Sequence, residues 1–255
     1  MRALTRRWWL GGRAAWSASV LSSTLLFAAC GIFDAPRPLP QPLPSPANVL
    51  ANGGLESGDS PWIRPVLAGS DGFSISDSVA HSGTHSLSLN LAGDAGETGT
   101  RLVGGVQTIR TTEFPEYLSG FYRVDDWRPA ATYQYIQAVV AVHGGDFGDA
   151  FPVHEIRFAL AGLTRTPFVV PYAQFIFLNR AAPVLHQWVY FDYPLRQAFT
   201  TGPGKLPTRW DSIDIRLEVR YDAKTAVEGA TSGQVYFDDL YVGPQAANPN
   251  RPPEP

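Results

Sequence analysis

The sequence contains very little cysteine and no apolar run long enough to cross a membrane as a helix. Cys30 is the only cysteine among the 255 residues, so no disulfide can form within the chain. Its longest apolar stretch is shorter than the roughly twenty residues that a membrane-spanning helix needs. No long helical periodicity appears between residues 48 and 243. The main structural element is therefore predicted to be the β-strand.

The N-terminus has the pattern of an export signal. Four arginines (Arg2, Arg6, Arg7 and Arg13) precede an apolar stretch without acidic residues, from Ala14 to Ala29. That stretch ends Leu26-Phe27-Ala28-Ala29-Cys30, which resembles the lipobox of bacterial lipoproteins. The resemblance implies that residues 1–29 are removed and that Cys30 is acylated and tethers the chain to a membrane. Gly31 then favours the outer membrane or cell surface. An ordinary signal peptide with an incidental cysteine is the alternative.

Charge and proline content define the two ends of the mature chain. Removing residues 1–29 removes four arginines and no acids, so the net charge changes from −3 to −7. An acidic chain without clustered Lys and Arg is not expected to bind nucleic acid. Alternating prolines make residues 30–47 an extended linker that follows Cys30, and residues 244–255 are predicted to be a disordered tail.

Residues 48–243 are predicted to form one β-sandwich domain. Strand patterns of four to eleven residues alternate with Gly, Pro, Asp and Ser breaks. The clearest is Ile213 to Tyr221 (IDIRLEVRY), in which apolar residues alternate with Asp214, Arg216, Glu218 and Arg220. The charged side of this strand is predicted to be a solvated charge ladder. Eight to ten such strands indicate an all-β fold, a two-sheet antiparallel jelly roll.

Three segments resemble the signature segments of jelly-roll carbohydrate-binding modules. They are NVLANGGLESG (48–58) followed by Trp62, AHSGTHSLSLNL (80–91) and SGQVYFDDLYVG (232–243). The group is the galactose-binding-like sandwiches, which include cellulose- and xylan-binding modules. The resemblance implies a galactose-binding-like sandwich that binds a polysaccharide or oligosaccharide without cleaving it. The middle of the domain agrees with this group only in its strand pattern.

The same resemblance implies a structural calcium ion where the first and last strands meet. Its ligands would be Glu56 and Asp238 or Asp239, with main-chain carbonyls between Ser82 and His85. Calcium prefers six to eight oxygen ligands, so the residue types suit the ion. The alternative is that Glu56 caps a turn and that the two aspartates are solvated at a strand edge.

Aromatic side chains supply the candidate sugar-binding residues. Sugars bind against flat aromatic rings flanked by planar polar groups. Tyr133, Tyr135 and Gln137 share one face of a predicted strand, and Trp188 and Tyr190 share a face of another. If both faces belong to one sheet, they could line a single groove. Trp127 is a further candidate. Core packing is the alternative for each ring.

The sequence gives little support for catalysis. Asp214 and Glu218 are separated by roughly 13 Å along a strand, beyond the ~5–10 Å between the two carboxylates of a glycosidase. The chain also lacks the Gly-x-Ser-x-Gly elbow of serine hydrolases and the Glu-x-Asp-x-x-Glu pattern of laminarinase-type endoglucanases. A lipoprotein that binds a protein partner remains the second interpretation, and a polysaccharide-active enzyme the third.

Overall fold

The structure is a computed structural model that describes residues 48–65 and 70–251. The predicted signal peptide (1–29) and linker (30–47) lie outside the described residues. The described part contains these strands, numbered along the chain: β1 Ser70–Gly72, β2 Ser74–Ser76, β3 Ser86–Gly93, β4 Gly99–Ile109, β5 Tyr117–Arg128, β6 Tyr133–His143, β7 Val153–Ala161, β8 Ala173–Phe177, β9 Trp188–Pro194, β10 Ser212–Lys224 and β11 Thr231–Gly243. One short helix, α1 (Leu195–Thr201), follows β9. None of the described helices is long and apolar enough to cross a membrane.

The strands form two sheets. A six-stranded sheet has the order β1-β4-β10-β6-β7-β8, and a five-stranded sheet has the order β2-β3-β11-β5-β9. All pairs between these strands are antiparallel except β1 with β4 and β7 with β8, which are parallel. The all-β, two-sheet prediction is therefore confirmed, and the six-stranded sheet is mixed at its two edges.

The core lies between the sheets and follows the predicted alternation. On β10, Ile213, Ile215, Leu217 and Val219 are fully buried in the main apolar cluster, together with Val235 and Phe237 of β11. Since successive residues of a strand point to opposite faces, the charged residues of β10 must lie on the outer side of the six-stranded sheet.

The opening segment lies beside the closing strand, as predicted. Asn48 links the opening segment to β11, because its side chain donates to the Leu240 carbonyl and accepts from the Val242 N–H. The Leu240 N–H donates to the carbonyl of Gly53. A Cβ at residue 53 would lie 2.1 Å from the Leu240 oxygen, so this approach requires glycine.

Two local features differ from the sequence prediction. Helix α1 was not expected; its buried residues Leu195, Ala198 and Phe199 have helical spacing within only two turns. The predicted disordered tail is ordered as far as the structure describes it: residues 245–247 form a 3₁₀ helix. Asn248 then donates from its amide to Ser119 Oγ and to the hydroxyl of Tyr190, which fixes the tail on the five-stranded sheet.

Candidate functional site

The outer side of the six-stranded sheet bears a cluster of charged side chains. Residues directly opposite one another in paired strands point to the same side, and the register aligns Glu218 with Gln137 and Arg220 with Tyr135. The pairing of β6 with β7 places Glu155 and Arg157 on this side of the sheet as well. We call this cluster the ionic face: Tyr135, Gln137, Glu155, Arg157, Asp214, Arg216, Glu218, Arg220 and Asp222.

The ionic face is buried, which corrects the prediction of a solvated charge ladder. Asp214 is 1% exposed, Glu218 2% and Gln137 0%. Alternation along a strand shows which side a residue faces, but it does not show whether other parts of the chain cover that side. Buried ion pairs add little stability compared with apolar side chains of the same volume. The network is therefore weak evidence for stability.

Each acidic side chain of the ionic face is paired. Glu155 lies between two arginines, 2.6 Å from Arg157 Nη2 and 3.0 Å from Arg216 Nη1. Arg220 Nη2 lies 2.6 Å from Asp222 Oδ1, and Tyr135 donates its hydroxyl to Asp222 Oδ2 at 2.5 Å. The charges thus form a continuous network across three neighbouring strands.

Two carboxylates of the network have lowered pKa values. Burial alone would raise the pKa of Asp214, but hydrogen bonds from His143 and Thr108 lower it to about 2. Burial also opposes ionisation of Glu155, and the adjacent Arg157 and Arg216 nevertheless hold its pKa below the usual value. A glycosidase general acid needs a raised pKa, so these two carboxyl groups do not suit that role.

Three buried polar atoms of the ionic face have no hydrogen-bond partner among the described residues. They are the acceptor Oε1 of Gln137 and the donors Nη1 of Arg157 and Nε of Arg220. An unsatisfied buried polar group costs about 1–3 kcal/mol, so such atoms normally bind water or a ligand. One acceptor and two donors on adjacent strands match the hydroxyl groups of a sugar, each of which donates and accepts.

Aromatic rings border these atoms. The guanidinium carbon of Arg157 lies 5.2 Å from the ring centre of Phe168 and 5.6 Å from that of Phe175. Arg220 lies 5.9 Å from the ring of Tyr135. Tyr133 is half-buried at the end of the same face of β6, opposite Asp222. Sequence analysis singled out Tyr133, Tyr135 and Gln137 on this face, but it did not single out Arg157 and Arg220.

The predicted single groove is wrong, because its two halves lie on different sheets. Trp188 and Tyr190 belong to β9 of the five-stranded sheet, on its outer side beside Phe121 and His81. The ring of His81 stacks on Phe121 at 3.6 Å. We call this second cluster of four the aromatic face.

Trp127 belongs to neither face. Its ring would touch a Cβ placed at Gly162 or Gly233, and it packs against the main apolar cluster. Core packing, the alternative considered for each aromatic residue, therefore describes this tryptophan. Tyr190 is also held structurally, since its hydroxyl accepts from Asn248.

The three predicted calcium ligands meet at one turn, residues 81–85, where they accept hydrogen bonds. Glu56 Oε1 accepts from the main-chain N–H groups of Thr84 and His85, at 2.9 Å each. Asp238 Oδ2 accepts from the N–H groups of His81 and Ser82. No three Asp, Glu, His or Cys side chains of residues 48–65 and 70–251 are placed to share a metal ion. The predicted ligand set combines two carboxylates with main-chain carbonyls, and calcium at this turn stays a prediction.

The hydrogen bonds at this turn explain the shifted pKa values there. The N–H groups of Thr84 and His85 lower the pKa of Glu56 to about 2. Burial raises the pKa of Asp238 to about 6, against the hydrogen bonds that it accepts. Gly83 has a φ of 59°, and a Cβ there would lie 2.3 Å from Glu56 Oε1. Glycine is therefore required for Glu56 to reach the turn.

Comparisons with known proteins find similar folds at low sequence identity. No protein-family model matches the chain, and the search of curated proteins found no match. One similar solved structure is TmCBM61 in complex with β-1,4-galactotriose, 13% identical, with a TM-score of 0.40, covering 76% of this chain and 97% of that one. Another is the C-terminal family 22 carbohydrate-binding module of Clostridium thermocellum Xyn10B, at 11%, a TM-score of 0.37, and 76% and 95% coverage.

An enzyme is among the similar structures as well. The endo-β-1,4-glucuronan lyase of the fungus Trichoderma reesei is 14% identical, with a TM-score of 0.41, covering 69% of this chain and 88% of that one. The predicted resemblance to jelly-roll carbohydrate-binding modules is confirmed in that such modules are among the structures similar to this chain. Similarity at this level says nothing about which ligand the chain binds or whether it has an activity.

Proposed function

We propose that this chain is a membrane-tethered lipoprotein whose sandwich domain binds carbohydrate without cleaving it, on the ionic face. The unsatisfied atoms of Gln137, Arg157 and Arg220 are the main support for this site. A glycan hydroxyl that binds there removes the cost of a buried unpaired group, which gives a specific gain in binding free energy. The network reaches solvent at Arg216, whose side chain is 18% exposed.

The lowered pKa values of Asp214 and Glu155 support binding rather than hydrolysis. Both carboxylates serve as fixed acceptors that orient the arginines. Charged hydrogen bonds of this kind hold planar guanidinium groups in one orientation before a ligand arrives. In this proposal the acids position the arginines, and Arg157, Arg220 and Gln137 contact the glycan.

The remaining two features are the membrane anchor of the chain and the kind of ligand that its domain binds. Acylation at Cys30 and the linker 30–47 hold the domain at a bacterial outer membrane or cell surface, where its glycan ligand is then retained. Binding to a protein partner is the second prediction from the sequence. The exposed large apolar side chains of the described residues lie on four separate loops, for example Phe151, Val169 and Val227. A glycan therefore remains the preferred ligand.

The test is a retention assay with the full-length chain in mild detergent against a panel of soluble and insoluble polysaccharides. Each sample is also assayed for new reducing ends. Retention without cleavage is expected, and Gln137→Met should reduce it while Trp188→Ala on the opposite sheet should not. Loss in Trp188→Ala alone would move the site to the aromatic face. Cleavage would refute the non-catalytic proposal, and no retention would refute carbohydrate binding.

A further inference from the structure

Two exposed arginines stack on aromatic rings beside the ionic face. The guanidinium carbon of Arg165 lies 5.3 Å from the ring centre of Tyr133, and that of Arg180 lies 3.9 Å from the ring centre of Phe177. Arg180 Nη1 also donates to the carbonyl of Thr164 at 2.6 Å, which places the two arginines next to each other. We call Tyr133, Arg165, Phe177 and Arg180 the arginine rim.

The arginine rim is continuous with the ionic face. The rings of Tyr133 and Phe177 both pack on the small buried cluster formed by Tyr135, Ala159 and Leu163. Phe177 lies opposite Ala159 of β7 in the parallel pair at the edge of the sheet. A glycan chain on the ionic face that extends toward this edge therefore passes Arg165 and Arg180.

The charges of the rim are not neutralised by the protein. Within residues 48–65 and 70–251, neither Arg165 nor Arg180 forms an ion pair with Asp or Glu, whereas Arg157, Arg216 and Arg220 each do. Stacking on a ring orders a guanidinium but leaves its N–H groups directed outward along the plane. The acids of the ionic face oppose an incoming anion only weakly, because three of their four charges are offset by Arg157, Arg216 and Arg220.

Two ordered guanidinium groups are suited to oxyanions. Arginine binds carboxylate and sulfate groups through two parallel N–H donors, a geometry that neutral hydroxyls use less well. We propose that the glycan bound by this domain is anionic, carrying carboxylate or sulfate groups along its chain, and that Arg165 and Arg180 bind those groups. This inference rests on the proposed function and specifies its ligand class.

The experiment compares matched polymers on the full-length chain in detergent. A polyuronate is compared with the same polymer after its carboxylates are reduced to alcohols, and dextran sulfate with dextran. The chain should be retained on one or both anionic polymers and at least about tenfold less on the neutral form. Retention should also fall as salt is raised, since exposed charge pairs are screened within about 10 Å at 0.1 M.

A pair of double variants tests the residues. Arg165→Gln with Arg180→Gln should weaken retention on the anionic polymer about tenfold or more. The control, Arg110→Gln with Arg209→Gln, changes the net charge equally at two other exposed arginines and should leave retention unchanged. An equal loss of retention in both double variants would mean that retention depends on net charge alone, and this would refute the proposal.

The comparison of polymers tests carbohydrate binding and the anionic class of the ligand separately. Equal retention on anionic and neutral forms would refute the anionic class while leaving carbohydrate binding supported. Retention on no polymer would refute both. Melting curves of the variants confirm that they are folded, which these exposed side chains should allow.

Discussion

Gln137→Met separates a binding role from a structural one, because the structure predicts that stability and affinity change differently. Gln137 is fully buried, its amide donates to Glu218 Oε2, and its Oε1 has no partner among the described residues. Methionine has a similar volume and no polar atom. Losing a hydrogen bond to a charged acceptor costs about 1.5–3 kcal/mol, and removing an unsatisfied buried carbonyl returns about 1–3 kcal/mol. Because these two effects oppose each other, the free energy of unfolding should change by no more than about 2 kcal/mol in either direction.

Affinity should fall clearly in the same variant. A sugar hydroxyl that loses its acceptor in a buried site costs about 1–2 kcal/mol, which corresponds to about a 5- to 30-fold increase in Kd. Urea unfolding followed by tryptophan fluorescence gives the stability, and calorimetric titration with the retained glycan gives the Kd. An unchanged Kd, or a destabilisation above about 3 kcal/mol, would refute the argument, since Gln137 would then be a core residue alone.

Three further predictions concern other parts of the chain. The pKa of Asp214 is about 2 in the folded protein and 3.8 without its partners. The ionised carboxylate therefore contributes roughly 2 kcal/mol to the free energy of unfolding above pH 4, and this contribution is lost as the pH falls toward 2. Urea unfolding of Asp214→Asn should therefore differ from the unmodified chain by that amount at pH 6 but much less at pH 2; an equal difference at both would contradict the pKa. Cys30→Ser should move the chain from the membrane to the soluble fraction, and continued membrane association would disprove lipid anchoring. If Glu56 and Asp238 hold calcium, a chelator should lower the Tm and added calcium should restore it; an unchanged melt would leave the 81–85 turn held by hydrogen bonds alone.

The sequence predicted the sandwich because its signals are local. Alternation in Ile213–Tyr221 determined which side of β10 is the core, and that assignment is confirmed. The contact between the opening segment and β11 was expected from the resemblance of residues 48–58 and 232–243 to jelly-roll modules, and the structure contains it. Helix α1 was missed because three apolar residues with helical spacing over seven positions are too few to distinguish a helix from a loop.

The site was predicted less well because it depends on strand order. Tyr133, Tyr135 and Gln137 were correctly placed on one face, but the sequence does not show that β6 and β9 belong to different sheets. That order separates Trp188 and Tyr190 from Tyr133, Tyr135 and Gln137 by the thickness of the sandwich. Burial of the charged residues was missed for a similar reason, since what covers a sheet is set by distant parts of the chain.

Hydroxyl-radical footprinting of the full-length chain, with and without a retained polysaccharide, tests the central claim most directly. The two candidate faces both contain half-buried aromatic residues that react with the radical, and they lie on opposite sheets. The account predicts that the glycan protects Tyr133, Phe168 and Phe175 and leaves Trp188 and Tyr190 as reactive as before. Protection of Trp188 and Tyr190 with no change at Tyr133, Phe168 and Phe175 would contradict it.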